Sequence, residues 1–172
     1  MMTSLVLSVI GPDKPGLVES LAQTVASHGG NWLESGLSHL GGKFAGIVIV
    51  DIDEAASAQL QQALNNLASD GLIVTSEVIT QADNVPPTQP LTIELIGHDK
   101  PGIVREISQA LAKRHVNVEQ LTTALVSGSM SAELLFKAEA QLLAPETLDL
   151  DDLQADLENI ASDLMVDISL NK

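Results

Sequence analysis

The sequence predicts an α+β protein made of two tandem copies of one β-α-β-β-α-β unit. Three observations carry that prediction. The stretch Ile10-Gly11-Pro12-Asp13-Lys14-Pro15-Gly16-Leu17-Val18 returns 86 residues later as Ile96-Gly97-His98-Asp99-Lys100-Pro101-Gly102-Ile103-Val104. In both copies apolar alternation at period two gives way to apolar spacing at i, i+4 and i+8. Pro15-Gly16 and Pro101-Gly102 punctuate the two copies at the same place. A motif recurring at half the chain length marks a duplicated small domain, and the 172 residues allow each half its own modest core.

The elements follow in order. Leu5, Leu7 and Val9 alternate with Ser4, Val6 and Ser8, and Leu91, Ile93 and Leu95 alternate with Thr92 and Glu94. Both read as strands with at least one buried face. Pro15-Gly16 opens a helix, since proline's fixed φ and missing N–H suit a first turn, and Asp13 stands where a carboxylate caps free N–H groups. Leu17, Leu21 and Val25, repeated as Ile103, Ile107 and Leu111, give that helix its apolar stripe. After Asn31 come two extended segments, Trp32 to Leu40 and Lys43 to Asp51, separated by Gly41-Gly42. That arrangement signals a hairpin. The second copy has Asn117 to Ser127 and Ser131 to Ala140, separated by Gly128-Ser129. A second helix is marked by Leu60, Leu64 and Leu67, and by Leu153, Leu157, Ile160 and Leu164, with Gly71 placed to end the first. Closing strands are expected over Ile73 to Thr80 and Val166 to Leu170.

This order is the split-βαβ, ferredoxin-like arrangement, an antiparallel four-stranded sheet with both helices on one face. The expected domains are residues 1–82 and 91–172, joined by a proline-rich linker at 83–90. Three prolines stiffen the stretch from Ala82 to Pro90 and favour a fixed contact between the units.

Composition excludes several functions. The chain has no cysteine, which removes disulfides, thiol catalysis and cysteine-based zinc sites. No apolar run approaches the roughly 20 residues of a membrane span, and no export signal opens the chain. A cytoplasmic protein without membrane association is expected. Acidic residues number 23 against 8 Lys and Arg, a formal net charge of −15. Phosphate backbones are bound by clustered cations, so direct nucleic-acid binding is not expected. Eight acidic residues and no basic one fall between Gln141 and Asn171. They suit a solvated helix face, or a docking surface for a basic protein.

The loop between first strand and first helix is the best candidate site. A helix N-terminus attracts anions, and Gly16 or Gly102 lets a ligand approach the backbone. An amino acid's carboxylate suits that end, with Asp13 or Asp99 meeting its ammonium group. Asn31 and Asn117, starting the next strand beside the loop, both donate and accept. The same residues also make a good turn and helix cap. Catalysis has little support: the four histidines fall at non-equivalent repeat positions, and no nucleophile elbow, phosphate loop or dinucleotide fingerprint is present. No catalytic residue, metal site or cofactor is expected. Trp32 reads as core or interdomain packing, or as a ligand platform. Gly36, Ala45 and Gly46 read as a bulge, or as a close approach to another unit or chain.

Asp-Lys-Pro-Gly-Leu/Ile-Val after a strand, then a helix, Asn and a hairpin, resembles the ACT domain, an amino-acid-sensing regulatory module. The resemblance runs over about 1 to 82 and again over about 90 to 172. The segment Glu34-Ser35-Gly36-Leu37-Ser38-His39-Leu40-Gly41-Gly42-Lys43-Phe44 makes the pair similar, more narrowly, to glycine cleavage system repressors. The resemblance implies regulation through protein contact: binding of a DNA-bound regulator, of LysR type, in response to a small amino acid, glycine or serine first. It implies a ligand between paired domains at Gly11, Asp13, Gly16 and Asn31, and at Gly97, Asp99, Gly102 and Asn117, with a homodimer as one way to pair them. Copy two departs from the pattern at His98, which replaces Pro12, and at Gly128-Ser129. The alternative implied role is a regulatory or dimerisation module acting on an enzyme of amino-acid or one-carbon metabolism. Deformylases and phosphatases with related modules have a catalytic domain downstream, and this chain ends with its second repeat, so no enzyme is expected.

Overall fold

The computed structural model describes residues 1–80, 84–129 and 133–172, in two compact units, Met1–Asp83 and Asn84–Lys172. In unit 1, β1 (Met2–Pro12), α1 (Leu17–Ser27), β2 (Asn31–Leu40), β3 (Lys43–Asp53), α2 (Glu54–Asn66) and β4 (Ile73–Val78) follow in order, with a 3-10 turn at Leu67–Asp70. Unit 2 repeats the order as β5 (Thr88–His98), α3 (Ile103–Lys113), β6 (Asn117–Ser127), β7 (Leu134–Pro145), α4 (Leu150–Leu164) and β8 (Val166–Asn171). Each sheet is four-stranded and antiparallel in its pairings, ordered β2-β3-β1-β4 and β6-β7-β5-β8. The expected α+β fold of two ferredoxin-like βαββαβ domains is therefore present.

Alternation sets the inner face of each sheet. Leu5, Leu7 and Val9 of β1, Val48, Val50 and Ile52 of β3 and Val74 of β4 form one core with Leu17, Leu21 and Val25 of α1 and Leu60 and Leu64 of α2. Both helices thus lie on one face. Unit 2 uses smaller side chains at two matched places on its second inner strand. The register puts Val48 opposite Leu7 and Ala140 opposite Ile93, so Ala140 replaces Val48, and by the same rule Ala144 replaces Ile52. Val118 stands where unit 1 has Trp32. The unit 2 core accordingly divides into two clusters, with Ile107 packed against both. An apolar cleft opens between α3 and β6, lined among others by Ile103, Ile107, Leu111, Val118, Leu121 and Phe136.

Several boundaries differ from expectation. Strand β5 begins at Thr88, three residues inside the stretch assigned to the linker at 83–90. Thr88, Gln89 and Pro90 pair with Pro145, Ala144 and Leu143, and that pairing draws them into the sheet. Strand β7 runs to Pro145, past the expected end at Ala140, because Ala140, Leu142 and Ala144 continue its buried face. Ser131 and Ala132, expected in this strand, lie outside the described residues, as do Ala82 and Asp83 of the linker. Strand β4 stops at Val78. Gly71, φ +93°, closes the 3-10 turn in the left-handed conformation expected of it.

Candidate functional site

The repeated loop leaves β1 at Pro12 and enters α1 at Leu17. It takes the same course in both units. Gly16 and Gly102 precede their helices at φ +92° and +94°, a conformation that costs a residue with a Cβ about 1–2 kcal/mol. A Cβ on Gly16 meets nothing within 4 Å, so the backbone angle and not crowding calls for glycine there. Neither helix has a side-chain cap hydrogen bond. The expectation that Asp13 caps α1 is thereby corrected, and Asp99 does not cap α3 either. The left-handed glycine turns the chain between aspartate and helix, and the Asp13 carboxylate goes instead to the hairpin.

Two contacts tie each loop to its hairpin. Asp13 N–H donates to the Gly42 carbonyl at 3.2 Å, and Asp99 N–H donates to Leu134 at 3.3 Å. Beside these, Asp13 Oδ2 lies 2.6 Å from His39 Nε2, and His98 Nδ1 lies 3.1 Å from Glu133 Oε2. The carboxylate belongs to the loop in unit 1 and to the hairpin in unit 2. Sequence comparison missed this because the two histidines do not align in the repeat. Only the pairing Gly11–Phe44–His39 brings β2 to the loop's end of the sheet.

Gly11 and Gly97, implied as ligand contacts by the resemblance, face their own domains. A Cβ on Gly11, which is buried, stands 3.0 Å from Leu72 Cδ1 and 3.3 Å from Leu17 Cδ1. On Gly97 it stands 2.4 Å from Val166 Cγ1. Both glycines admit packing over the end of the central strand.

Asn31 and Asn117 are not beside the loops, which corrects the sequence expectation. Asn31 pairs with Asp51, and Asp51 with Ser4, whereas Gly11 is seven residues further along β1. At about 3.4 Å per residue the two ends are roughly 24 Å apart. The reason is the crossover: α1 carries the chain back, so β2 starts level with the beginning of β1. Asn117 is placed likewise in unit 2, opposite Leu143 and Pro90, and its Nδ2 donates to Glu119 Oε1 at 2.7 Å. Of the eight named positions, the structure brings together Gly11, Asp13 and Gly16, and separately Gly97, Asp99 and Gly102.

Trp32 packs half-buried against the unit 1 core and donates through Nε1 to Ser35 Oγ at 3.1 Å. Gly46 marks a close approach within its own sheet, since a Cβ there falls 2.1 Å from the Gly36 carbonyl oxygen. The bulge in β2 is at Leu33, between Trp32 and Glu34. The unit 2 cleft has no charged side chain in its lining, so it offers no counter-charge to a zwitterion. No helix among the described residues is long and apolar enough to cross a membrane.

Comparison with known proteins agrees with this architecture. Over 170 residues the chain is 21% identical to a glycine cleavage system transcriptional repressor of Escherichia coli K12, covering 97% of this chain and 88% of the relative. An unknown protein from Galdieria sulphuraria superposes with TM-score 0.88 at 26% identity, covering 99% of this chain and 98% of that one. A solved structure described as a candidate glycine cleavage system transcriptional repressor superposes at TM-score 0.71 and 19% identity, covering 99% and 97%. The ACT domain family model matches residues 3–76 and again residues 89–171. With both of its halves matched, the chain belongs to the ACT domain family.

Proposed function

We propose that the chain is a regulatory protein without catalytic activity. It senses a small amino acid at its strand-to-helix loops and controls transcription indirectly, by binding a DNA-bound regulator of LysR type in a cytoplasmic setting. The observation that carries the reading is the loop itself, present twice. Each copy ends in a left-handed glycine before a helix with no side-chain cap, and each has an aspartate three residues earlier. Uncapped N–H groups suit a carboxylate, and the aspartate suits an ammonium group. Asp13 is held by His39, while Asp99 has no ion-pair partner among the described residues. Asn31 and Asn117 join such a pocket only where the loop of another ACT unit is brought to them.

Transcriptional repression is what the name of the Escherichia coli relative says of that protein. The net charge of −15, with 8 cationic side chains in 172 residues, favours a protein partner over nucleic acid. Calorimetry against a panel of amino acids, glycine and serine first, tests the sensing half. Absence of heat at millimolar ligand overturns it. Affinity capture with and without glycine tests the other half. A LysR-type regulator recovered in a glycine-dependent way supports it, and an enzyme of amino-acid or one-carbon metabolism in its place redirects the reading.

A further inference from the structure

The two strand-to-helix loops share a backbone course and differ in the charges set around it. Three residues after the left-handed glycine, unit 1 has Glu19 and unit 2 has Arg105. The Arg105 guanidinium folds back over the start of its own helix, with Nη2 3.5 Å from the place a Cβ on Gly102 would take. Glu19 leaves the matching place beside Gly16 open. Glu19 alone gives the first turn of α1 one negative charge, whereas Arg105 and Glu106 cancel at the start of α3. The aspartates differ as well. Asp13 Oδ2 lies 2.6 Å from His39 Nε2. The registers put Leu125 at the place of His39 in unit 2, and Leu125 has no nitrogen to offer. Asp99 accordingly makes no ion pair among the described residues.

We propose that each chain binds one amino acid, at the unit 2 loop, with Arg105 holding its carboxylate and Asp99 meeting its ammonium group. This rests on the sensing role proposed above and narrows it to one loop of the two. A carboxylate arriving at the start of α3 finds uncapped N–H groups and a guanidinium on the same turn. Glu106 engages Arg105 only through Nη2, at 3.4 Å in an exposed pair, so most of the five guanidinium donors stay free. At the start of α1 the same carboxylate meets Glu19 instead. An ammonium group there has to displace His39 from Asp13. Lys14 and Lys100 follow the aspartate in both loops and so do not distinguish them. The loop is present twice, but only its second copy sets a free anion and a cation where a zwitterion needs them.

Calorimetric titration of the full chain with glycine, and in parallel with serine, is expected to give one site per chain. Arg105→Glu installs unit 1's residue and should weaken binding about tenfold or more. Asp99→Asn should do the same. Lys113→Glu makes the same change in net charge at the far end of α3 and should leave binding as it was. Glu19→Arg with His39→Leu gives unit 1 the residues of unit 2 and should add a second site. All five side chains belong to exposed residues, so each variant should keep its circular dichroism. Unchanged binding in Arg105→Glu overturns the proposal and leaves the sensing role standing, as does a wild type with two equal sites. An equal loss in Lys113→Glu reveals a net-charge effect and counts against Arg105, and a double variant that gains no site counts against the contrast between the loops. A wild type that takes up neither amino acid at millimolar concentration overturns this proposal and the sensing role together.

Discussion

Asp13 and Asn31 stand at opposite ends of one sheet. Asn31 lies level with Ser4, nine residues before Asp13, across the intervening strand β3. Spacing along the chain suggested a single pocket wall, but the crossover helix consumes that spacing by running back the length of the sheet. Asp13 meets a residue much further on, His39, because the hairpin returns β2 to the loop's end. The site is therefore organised by sheet level.

Helix capping separates aspartates that look alike in sequence. Asp53 Oδ1 accepts from Ala55 N–H at 3.0 Å and Asp149 Oδ1 from Asp151 N–H at 2.9 Å. Asp53→Ala and Asp149→Ala should each cost about 1 kcal/mol in urea unfolding. Asp13→Ala loses only an exposed ion pair and should cost under about 0.5 kcal/mol. A loss at Asp13 equal to that at Asp53 would show that it caps α1 after all.

Glycines in unit 1 rank by what a methyl group meets. Gly46→Ala drives a Cβ into the Gly36 carbonyl and should cost about 3 kcal/mol or more, because backbone must move. Gly36→Ala meets open space and should be neutral or slightly stabilising. Gly16→Ala falls between them at about 1–2 kcal/mol, from its positive φ. Thermal melts of the three variants give the order directly.

Arg114 follows the C-terminus of α3 and pairs with Asp156 of α4, with side chains 19% and 33% exposed. Asp156→Ala should cost about 1 kcal/mol, more than the loss from Lys137→Ala, whose partner Glu139 is half exposed. Comparing both variants at low and high salt checks this, since the exposed pair should lose more of its effect to screening.

Unit 2 carries its cleft where Val118 replaces Trp32. Trp32→Ala should therefore open a comparable gap in unit 1 and cost about 2–3 kcal/mol. Leu125→Ala, at an exposed position of β6, should change stability by under about 0.5 kcal/mol. Chemical denaturation monitored by circular dichroism reads both.

The sequence made most of the fold legible because one unit could be checked against the other. Strand β6 falls at Asn117–Ser127, as its composition predicted, and α1 buries its whole expected stripe, whereas Ile107, Ile160 and Leu164 are half-buried and Leu67 lies past the end of α2. The end of β7 was hidden because Gln141-Leu142-Leu143-Ala144 does not look alternating until Leu143 is seen paired beyond the core with Pro90. At the site, the loop glycines and aspartates were legible as positions and their work was not. Gly11 and Gly97 are set by contacts with Leu72 and Val166, residues about 60 to 70 positions away that no local pattern can reveal. The histidine contacts escaped for another reason: they join non-equivalent places, since His39 answers to Leu125 in the repeat and His98 to Pro12.

That difference makes the two hairpins unequal as grafts. Set into unit 1, the hairpin of unit 2 would put Leu125 level with Gly11 in place of His39, and Asp13 would lose its imidazole. Set into unit 2, the hairpin of unit 1 would bring His39 level with Gly97, on the side of Asp99, while His98 would lose Glu133. Recombination between the repeats would therefore break one unit's ion pair outright and exchange the other's for a new one.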